Sequence, residues 1–466
     1  MKLILLSGGS GKRLWPLSND TRSKQFLQVL RSELGEPQSM VERVWSQLES
    51  SSLKEVSYIA TSKSQVDIIQ NQLGTDVKLI VEPERRDTFP AIALSCSYLY
   101  SVEGIGLDEV VAVLPVDPYV ETGFFEGVKD LEEVLQDSWT ELALMGVVPT
   151  YPSEKYGYIV PEGGQGNQRY VRVSHFREKP KGEQAAELIE QQALWNCGVF
   201  AFRLEFVIKK IEELGFSPNY EALREDYSKL PKISFDYQVV EKAKHIAALR
   251  YDGDWKDLGT WNTLTEEMSG VLIGNGVLSE DSLNTHLINE LDIPITVLGL
   301  SDIVVAASPD GILVSDKKAS PRVKEVINGL TGRPMFEERR WGWYKVLDHT
   351  KSPEGQEVLT KRIGIKAGKN LSYQMHYFRS EVWTIVSGIG EFVLDGVIYP
   401  VKPGDVLNIQ VQTKHGIRAV TDLEFIEVQL GKELVEEDIV RLFMTWAEVE
   451  EYCVRQTEHP LAEKMG

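Results

Sequence analysis

The stretch Ser7-Gly8-Gly9-Ser10-Gly11-Lys12-Arg13 follows directly on the apolar run Leu3–Leu6. A strand that opens into glycine presents several N–H groups in a concave array, because glycine tolerates φ > 0 and lets the backbone come close to a phosphate. Lys12 and Arg13 add charge-assisted donors. The order GGSGKR is neither a Walker loop, which needs Ser or Thr after its lysine, nor the G-x-G-x-x-G of a dinucleotide fold. A plain tight turn would use the same residues. Far downstream, in QMHYFRSEVW, Gln374 and His376 stand at i and i+2 of an alternating run and so share one face. Glu381 follows five residues on, and His415 lies in a later strand or loop.

The elements that must position these groups fall into three textures. From 1 to 265, short apolar runs (Lys2–Leu6, Val56–Ala60, Val110–Leu114, Glu141–Val147) alternate with helical stretches (Ser39–Gln47, Ser64–Leu73, Pro90–Tyr100, Gly123–Gln136). That alternation predicts a mostly parallel sheet covered on both faces, in the α/β class, with ligands beyond the carboxyl ends of its strands. From 266 to 340, short β-prone runs broken by Asp, Pro and Gly predict a small β-rich connector, with a helical stretch in DKKASPRVKEVINGL. From 341, closely spaced strands with glycine turns predict an antiparallel barrel or sandwich, and the last 35 residues read as an acidic helix and tail. No repeat or low-complexity tract is evident.

Composition bounds the function. Fifty Lys and Arg against seventy Asp and Glu leave a formal net charge of −20 over 466 residues, which disfavours nucleic-acid and anionic-membrane coating. Cys96, Cys197 and Cys453 form no CxxC pair, so neither a disulfide framework nor a cysteine zinc site is expected, and a reducing cytoplasm fits. The first apolar run is too short for a signal peptide, and no stretch reaches the length of a membrane span.

Beyond its first glycines, GGSGKRLWPLSNDTRSKQFLQV resembles the signature of sugar-1-phosphate nucleotidylyltransferases, and its Trp15 form with the lysine of SKQFL resembles mannose-1-phosphate guanylyltransferases. Ser23 stands where proline is usual. VEPERRDTFPAIALSC, VLPVDPYV, EKYGYIVP, FREKP, LWNCGVFAF, FDYQVVEKA and WKDLGTW match further family segments in order, with Asp87 in place of Asn and Pro118 in place of His. The resemblance implies a Rossmann-like nucleotidyltransferase domain that moves GMP from GTP to mannose-1-phosphate, giving GDP-mannose and pyrophosphate. It implies catalytic roles for Arg13, Lys24 and Asp117, and Mg²⁺ on Asp117 and Asp257. The nucleotide would lie against Leu6, Gly8, Gly9, Ser10, Gly11, Lys12, Glu82, Arg86, Asp87 and Thr88. The sugar phosphate would meet Gly157, Tyr158, Glu178, Lys179 and Asn196. Taken singly, several of these have duller readings: REKP as a solvated loop, Asp257 as a cap for a helix starting near Thr260, and Asp117 as turn chemistry.

RRWGWYKVLD to FIEVQLG resembles the type II phosphomannose isomerase module, a cupin barrel. That resemblance implies Gln374, His376, Glu381 and His415 as ligands of Zn²⁺ or a similar divalent ion. Tyr377, Phe378 and Val382 replace family histidines, so the barrel reads equally as a structural or dimerising module without isomerase activity. Two copies of the chain would pair through RLFMTWAEV or the barrel edges. The competing readings are the same transfer with another sugar or base, and a regulator that binds a sugar nucleotide without catalysis.

Overall fold

A computed structural model describes residues 1–9, 11–163, 169–330, 332–435 and 438–456; Ser10, one of the residues expected at the nucleotide, lies outside them. The chain divides into two compact units. One holds residues 1–288, 294–306 and 313–328, and the other holds 289–293, 307–312 and 329–466.

The first unit is built on a nine-stranded sheet: β1 (Lys2–Ser7), β2 (Ser57–Ser62), β3 (Leu79–Glu82), β4 (Val110–Pro115), β5 (Leu142–Val147), β6 (Tyr158–Pro161), β7 (Tyr170–Arg177), β8 (Leu194–Arg203) and β9 (Ile246–Tyr251). Their order is β3-β2-β1-β4-β8-β5-β9-β7-β6. β3, β2, β1 and β4 run parallel, as the alternation predicts. β8 then enters antiparallel between β4 and β5, which makes the sheet mixed. Both faces are covered. On β1, Leu3 and Leu5 point into one core and Ile4 into the other, following the two-residue period of a strand. The helices α1 (Met40–Ser50), α2 (Val66–Leu73), α3 (Thr88–Ser101) and α4 (Phe124–Ser138) fall where the periodicity places them. Ser39 and Glu42 start α1 with a reciprocal capping box.

A third apolar cluster joins the loop after β1 to the connector. Leu14, Leu17 and Leu27 pack with Leu258 and Trp261, and with Ile288, Val304, Ala306, Val323 and Ile327. The helical stretch expected near DKKASPRVKEVINGL is present as short turns: Ser320–Arg322, Val323–Val326 and Ile327–Gly329.

The second unit is a closed strand barrel of β10 (Phe336–Arg339), β11 (Gly342–Lys351), β12 (Glu357–Ile365), β13 (Tyr373–Met375), β14 (Arg379–Ser387), β15 (Gly390–Leu394), β16 (Val397–Val401), β17 (Val406–Ile409), β18 (His415–Ala419), β19 (Leu423–Gly431) and β20 (Val440–Phe443). They form two six-stranded sheets, β10-β11-β12-β19-β14-β17 and β20-β13-β18-β15-β16 with Val454–Arg455 at the edge. Trp383, Phe392 and Phe425 sit at the centre of its core. The carboxy-terminal stretch differs from the helical expectation. Val440–Phe443 is a strand, because it pairs with β13, and among the described residues the helix is confined to Trp446–Tyr452, capped by Thr445 and Glu448; the end of the expected tail, 457–466, lies outside them.

Candidate active site

In-register parallel pairing sets the ends of β1 and β4 side by side, with Leu6 opposite Pro115. The glycine loop and Asp117 therefore leave the sheet together. A short ribbon, Pro118–Val120 with Trp255–Asp257, places Asp257 opposite Pro118 and so beside Asp117. Lys24, in the turn Lys24–Phe26, reaches across to both: Nζ lies 3.0 Å from Asp117 Oδ2 and 2.7 Å from Asp257 Oδ1. Burial alone would lower the Lys24 pKa, yet the two carboxylates hold it above the usual lysine range. Burial likewise opposes ionisation of Asp257, but Lys24, Arg13 and Lys155 keep its carboxyl below its ordinary value.

The loop is braced from behind. The Ser23 hydroxyl donates to the Gly9 carbonyl at 2.6 Å and accepts from Gln65 Nε2 at 2.6 Å, a contact that proline at 23 could not make. The Ser18 hydroxyl donates to the Gly11 carbonyl. Gly11 is buried, and a Cβ there would stand 2.5 Å from the Asn19 carbonyl and 2.7 Å from Ser23 Cα. Its glycine is required for this fold-back.

Two cavities open at this edge. One, of about 380 Å³, is lined by Leu6, Gly8, Gly9, Glu82, Arg85, Arg86, Asp87 and Thr88. The other, of about 260 Å³, is lined by Lys155, Tyr156, Gly157, Glu178, Asn196, Trp255 and Asp257. Lys24, Asp117 and Asp236 line both. Glu82 ends β3 and is 4% exposed. Burial pushes its pKa up, against the Tyr227 hydroxyl that donates to Oε2 at 2.6 Å. Asp87 caps α3 from φ 75° and ψ −179°, a backbone region that residues other than glycine rarely occupy, and its carboxylate accepts from the Thr88 N–H at 2.8 Å. The Arg86 guanidinium is held by the Leu230 carbonyl and Glu84.

In the smaller cavity, the Asn196 N–H donates to the Gly157 carbonyl at 2.8 Å. Its side chain accepts from the Gly198 N–H at 3.0 Å and donates to Asp236 Oδ1 at 3.0 Å. Glu178 is buried, ion-paired with Lys179, and its N–H donates to Glu241.

Not every expected residue reaches these cavities. The Tyr158 ring is fully buried, and its hydroxyl is used by the backbone of Ser153; Tyr156, two residues earlier, lines the cavity instead. Lys12 pairs with Asp20 at 3.4 Å, and Arg13 is exposed. Asp236, Tyr156, Lys155, Arg85 and Trp255 are among the lining residues that sequence reading missed. FDYQVVEKA and EKYGYIVP carried the signal for Asp236, Lys155 and Tyr156, as residues of segments already matched.

In the barrel, β13 pairs with β18 so that Gln374 lies opposite His415. His376, Glu381 and His415 are buried, and one ligand atom from each lies within 4.8 Å of the others. Gln374 Nε2 is 3.3 Å from His376 Nε2. His415 Nδ1 donates to the Thr413 carbonyl at 2.9 Å and His376 Nδ1 donates to that of Asp438, so both Nε2 lone pairs face inward. His376 Nε2 lies 3.3 Å from Glu381 Oε1, and His415 Nε2 lies 3.4 Å from Glu381 Oε2. His415 Nε2 is buried without a hydrogen-bond partner. Burial lowers the His376 pKa to about 4, so its ring is neutral at physiological pH. Two imidazoles and a carboxylate converging on one point are a donor set for a divalent cation. Arg379 also enters, donating from Nε to Glu381 Oε1 at 2.8 Å.

Two cavities that share a lysine and two aspartates, at the carboxyl ends of an α/β sheet, suit transfer of a nucleotidyl group to a phosphorylated acceptor. The chain belongs to the nucleotidyl transferase family, whose model matches residues 2–272. Residues 334–443 match the model described as mannose-6-phosphate isomerase C-terminal. The alginate biosynthesis protein AlgA of Pseudomonas putida is 30% identical, with 94% of each chain covered. The mannose-1-phosphate guanylyltransferase RfbM of Salmonella typhimurium is 29% identical, over 94% of this chain and 96% of its own. A solved structure described as mannose-1-phosphate geranyltransferase from Thermus thermophilus superposes with a TM-score of 0.59 at 30% identity, covering 71% of this chain and 99% of its own. Among the described residues no helix is long and apolar enough to cross a membrane.

Proposed function

We propose that this chain transfers GMP from GTP to mannose-1-phosphate, releasing pyrophosphate and forming GDP-mannose. The observation that carries the reading is the junction of the two cavities at Lys24 and Asp117. A phosphate oxygen of the sugar phosphate attacks the α-phosphorus; the bond to the bridging oxygen breaks, and pyrophosphate leaves with that electron pair. Such a reaction is accelerated mainly by positioning and charge neutralisation. The Gly8 and Gly9 backbone lines the larger cavity, where the triphosphate would lie. Lys24 would release the carboxylates and meet phosphate at the junction. Asp117 and Asp257 are hard oxygen donors that suit Mg²⁺, which when bound would offset the charge of the phosphates. Guanine is favoured by Glu82, a buried carboxyl group that as carboxylate can accept from the N1–H and N2 amino groups of that base. Glu178, Asn196 and Gly157 would hold the hexose.

Pyrophosphate release measured over GTP, ATP, UTP and dTTP against mannose-1-phosphate and glucose-1-phosphate tests the assignment. GTP with mannose-1-phosphate is expected to give the highest kcat/KM; a different preferred pair overturns it. Gly157→Ala is expected to raise the KM for mannose-1-phosphate at least about tenfold. The new Cβ would sit 2.5 Å from Phe176 Cζ and 2.6 Å from Glu178 Oε2, with no space to share. Steady-state kinetics with each substrate varied in turn reads this.

A divalent cation, zinc being the best match to the donor types, is proposed at His376, Glu381 and His415 on the strength of the unpartnered His415 Nε2. Metal analysis of the purified protein is expected to find one equivalent per chain, lost in His415→Ala. A mannose-6-phosphate isomerase assay on the same sample tests whether that centre is catalytic.

A further inference from the structure

Asp236 is not among the site residues that the family resemblance implies, yet it lines both cavities. It opens the short helix Phe235–Gln238, whose first residue is tied to the nucleotide wall: the Phe235 N–H donates to Thr88 Oγ1 at 2.8 Å, and the Phe89 N–H donates to the Ile233 carbonyl at 3.2 Å. On the other side, Asp236 Oδ1 accepts from Asn196 Nδ2 at 3.0 Å. The segment that carries Asp236 therefore joins the start of α3 through its backbone, and its carboxyl reaches the bulge of β8, where the register shifts between Asn196 and Phe200.

We propose that Asp236 is a specificity residue that grips the hexose together with Glu178, and that it does so as the neutral acid. The inference rests on the sugar-phosphate reading of the smaller cavity. Two carboxyl groups facing one sugar cannot both ionise cheaply beside an incoming phosphate. One that keeps its proton offers a hydroxyl a donor and an acceptor at once, and adds no negative charge.

The surroundings support that assignment. Burial, then the charge of Glu178, raises the Asp236 pKa to about 7, while Lys179 opposes the rise and Asp87 adds to it. The charged groups facing Asp236 are thus Glu178 and Lys179 beyond β7 and Asp87 at the start of α3, with Lys24 and Asp117 on the shared cavity walls; Asn196 of β8 is neutral. Below about pH 7 the group is protonated, so sugar-phosphate affinity is greatest there and declines as pH rises through that value.

Asp236→Ala and Asp236→Asn in the full chain test this. Asp236→Ala is expected to raise the KM for mannose-1-phosphate about five- to tenfold and to leave the KM for GTP unchanged. The unsubstituted protein is expected to lose kcat/KM for mannose-1-phosphate above about pH 7, and Asp236→Asn, neutral at every pH, is expected to abolish that decline. An unchanged sugar KM in the alanine variant, or a pH profile in the asparagine variant that matches the parent, overturns the proposal. Calorimetric titration of mannose-1-phosphate into the same proteins separates the two levels of inference. Absent turnover in the parent defeats the guanylyltransferase reading, whereas equal mannose-1-phosphate affinity in parent and alanine variant defeats the role of Asp236.

Discussion

Lys24→Ala is expected to lower pyrophosphate release by about 10²- to 10³-fold while leaving the fold intact. The ammonium is the one cation that reaches both aspartates across the junction of the cavities, at 3.0 and 2.7 Å, among the described residues. Its loss removes a donor from the place where negative charge must be accommodated as pyrophosphate departs. It also leaves Asp117 and Asp257 without the ammonium they share. The site then presents net negative charge to two anionic substrates. Lys24 is partly exposed and contributes little to the core, so a thermal melt close to that of the parent is the accompanying expectation. Lys24→Arg should not restore the rate, because a planar fork does not replace a compact ammonium between two carboxylates. A coupled pyrophosphate assay decides the matter; turnover at the parental rate in Lys24→Ala would remove this residue from the mechanism.

The second large effect is expected in the barrel. Trp383→Ala should destabilise it by about 3–5 kcal/mol, the range for deleting a buried large aromatic ring. Trp383 is fully buried and packs against Phe425 at 4.8 Å and Phe392 at 5.7 Å between centroids. Its indole N–H is shared between Glu381 Oε2 and Glu427 Oε1, each at 3.1 Å. Truncation leaves a cavity and takes a donor from two buried acids, so the cost combines lost packing with lost satisfaction. Urea titration of the full chain, followed by proteolysis of residues 329–466, reads the shift. Pyrophosphate release in dilute buffer is the control and should be retained. Unaltered urea resistance would show that the ring is not a principal support of the barrel.

Much of the fold was legible in the sequence because its signals are local. The helical stretch Ser39–Gln47, the apolar runs that became β1, β2, β4 and β5, and the glycine run after β1 are all read within a few residues. The i, i+2 parity of Gln374 and His376 placed both on one face of the barrel wall. What was not legible depends on pairing across distance. WKDLGTW named Asp257 by resemblance, but nothing near Lys24 announces the contact between them, which comes through a ribbon formed with the chain just after Asp117. The antiparallel entry of β8 is equally silent, since a strand buried on both faces reads the same in either direction. Tyr156 and Tyr158 flank one glycine and differ only in which way they point, and that is set by where β6 begins. Asp236 reads as a surface acid of a short helix until α3 and β8 close around it.

Ile288, Val304, Ala306, Val323 and Ile327 complete the apolar cluster that backs Leu14, Leu17 and Leu27. The family match ends at residue 272, before any of those five. A fragment cut at that point would carry every residue that lines the two cavities but would leave the apolar underside of the glycine loop bare to solvent. The compact unit that holds those cavities extends to residue 328, and trimming by sequence match alone is expected to give a protein prone to aggregate.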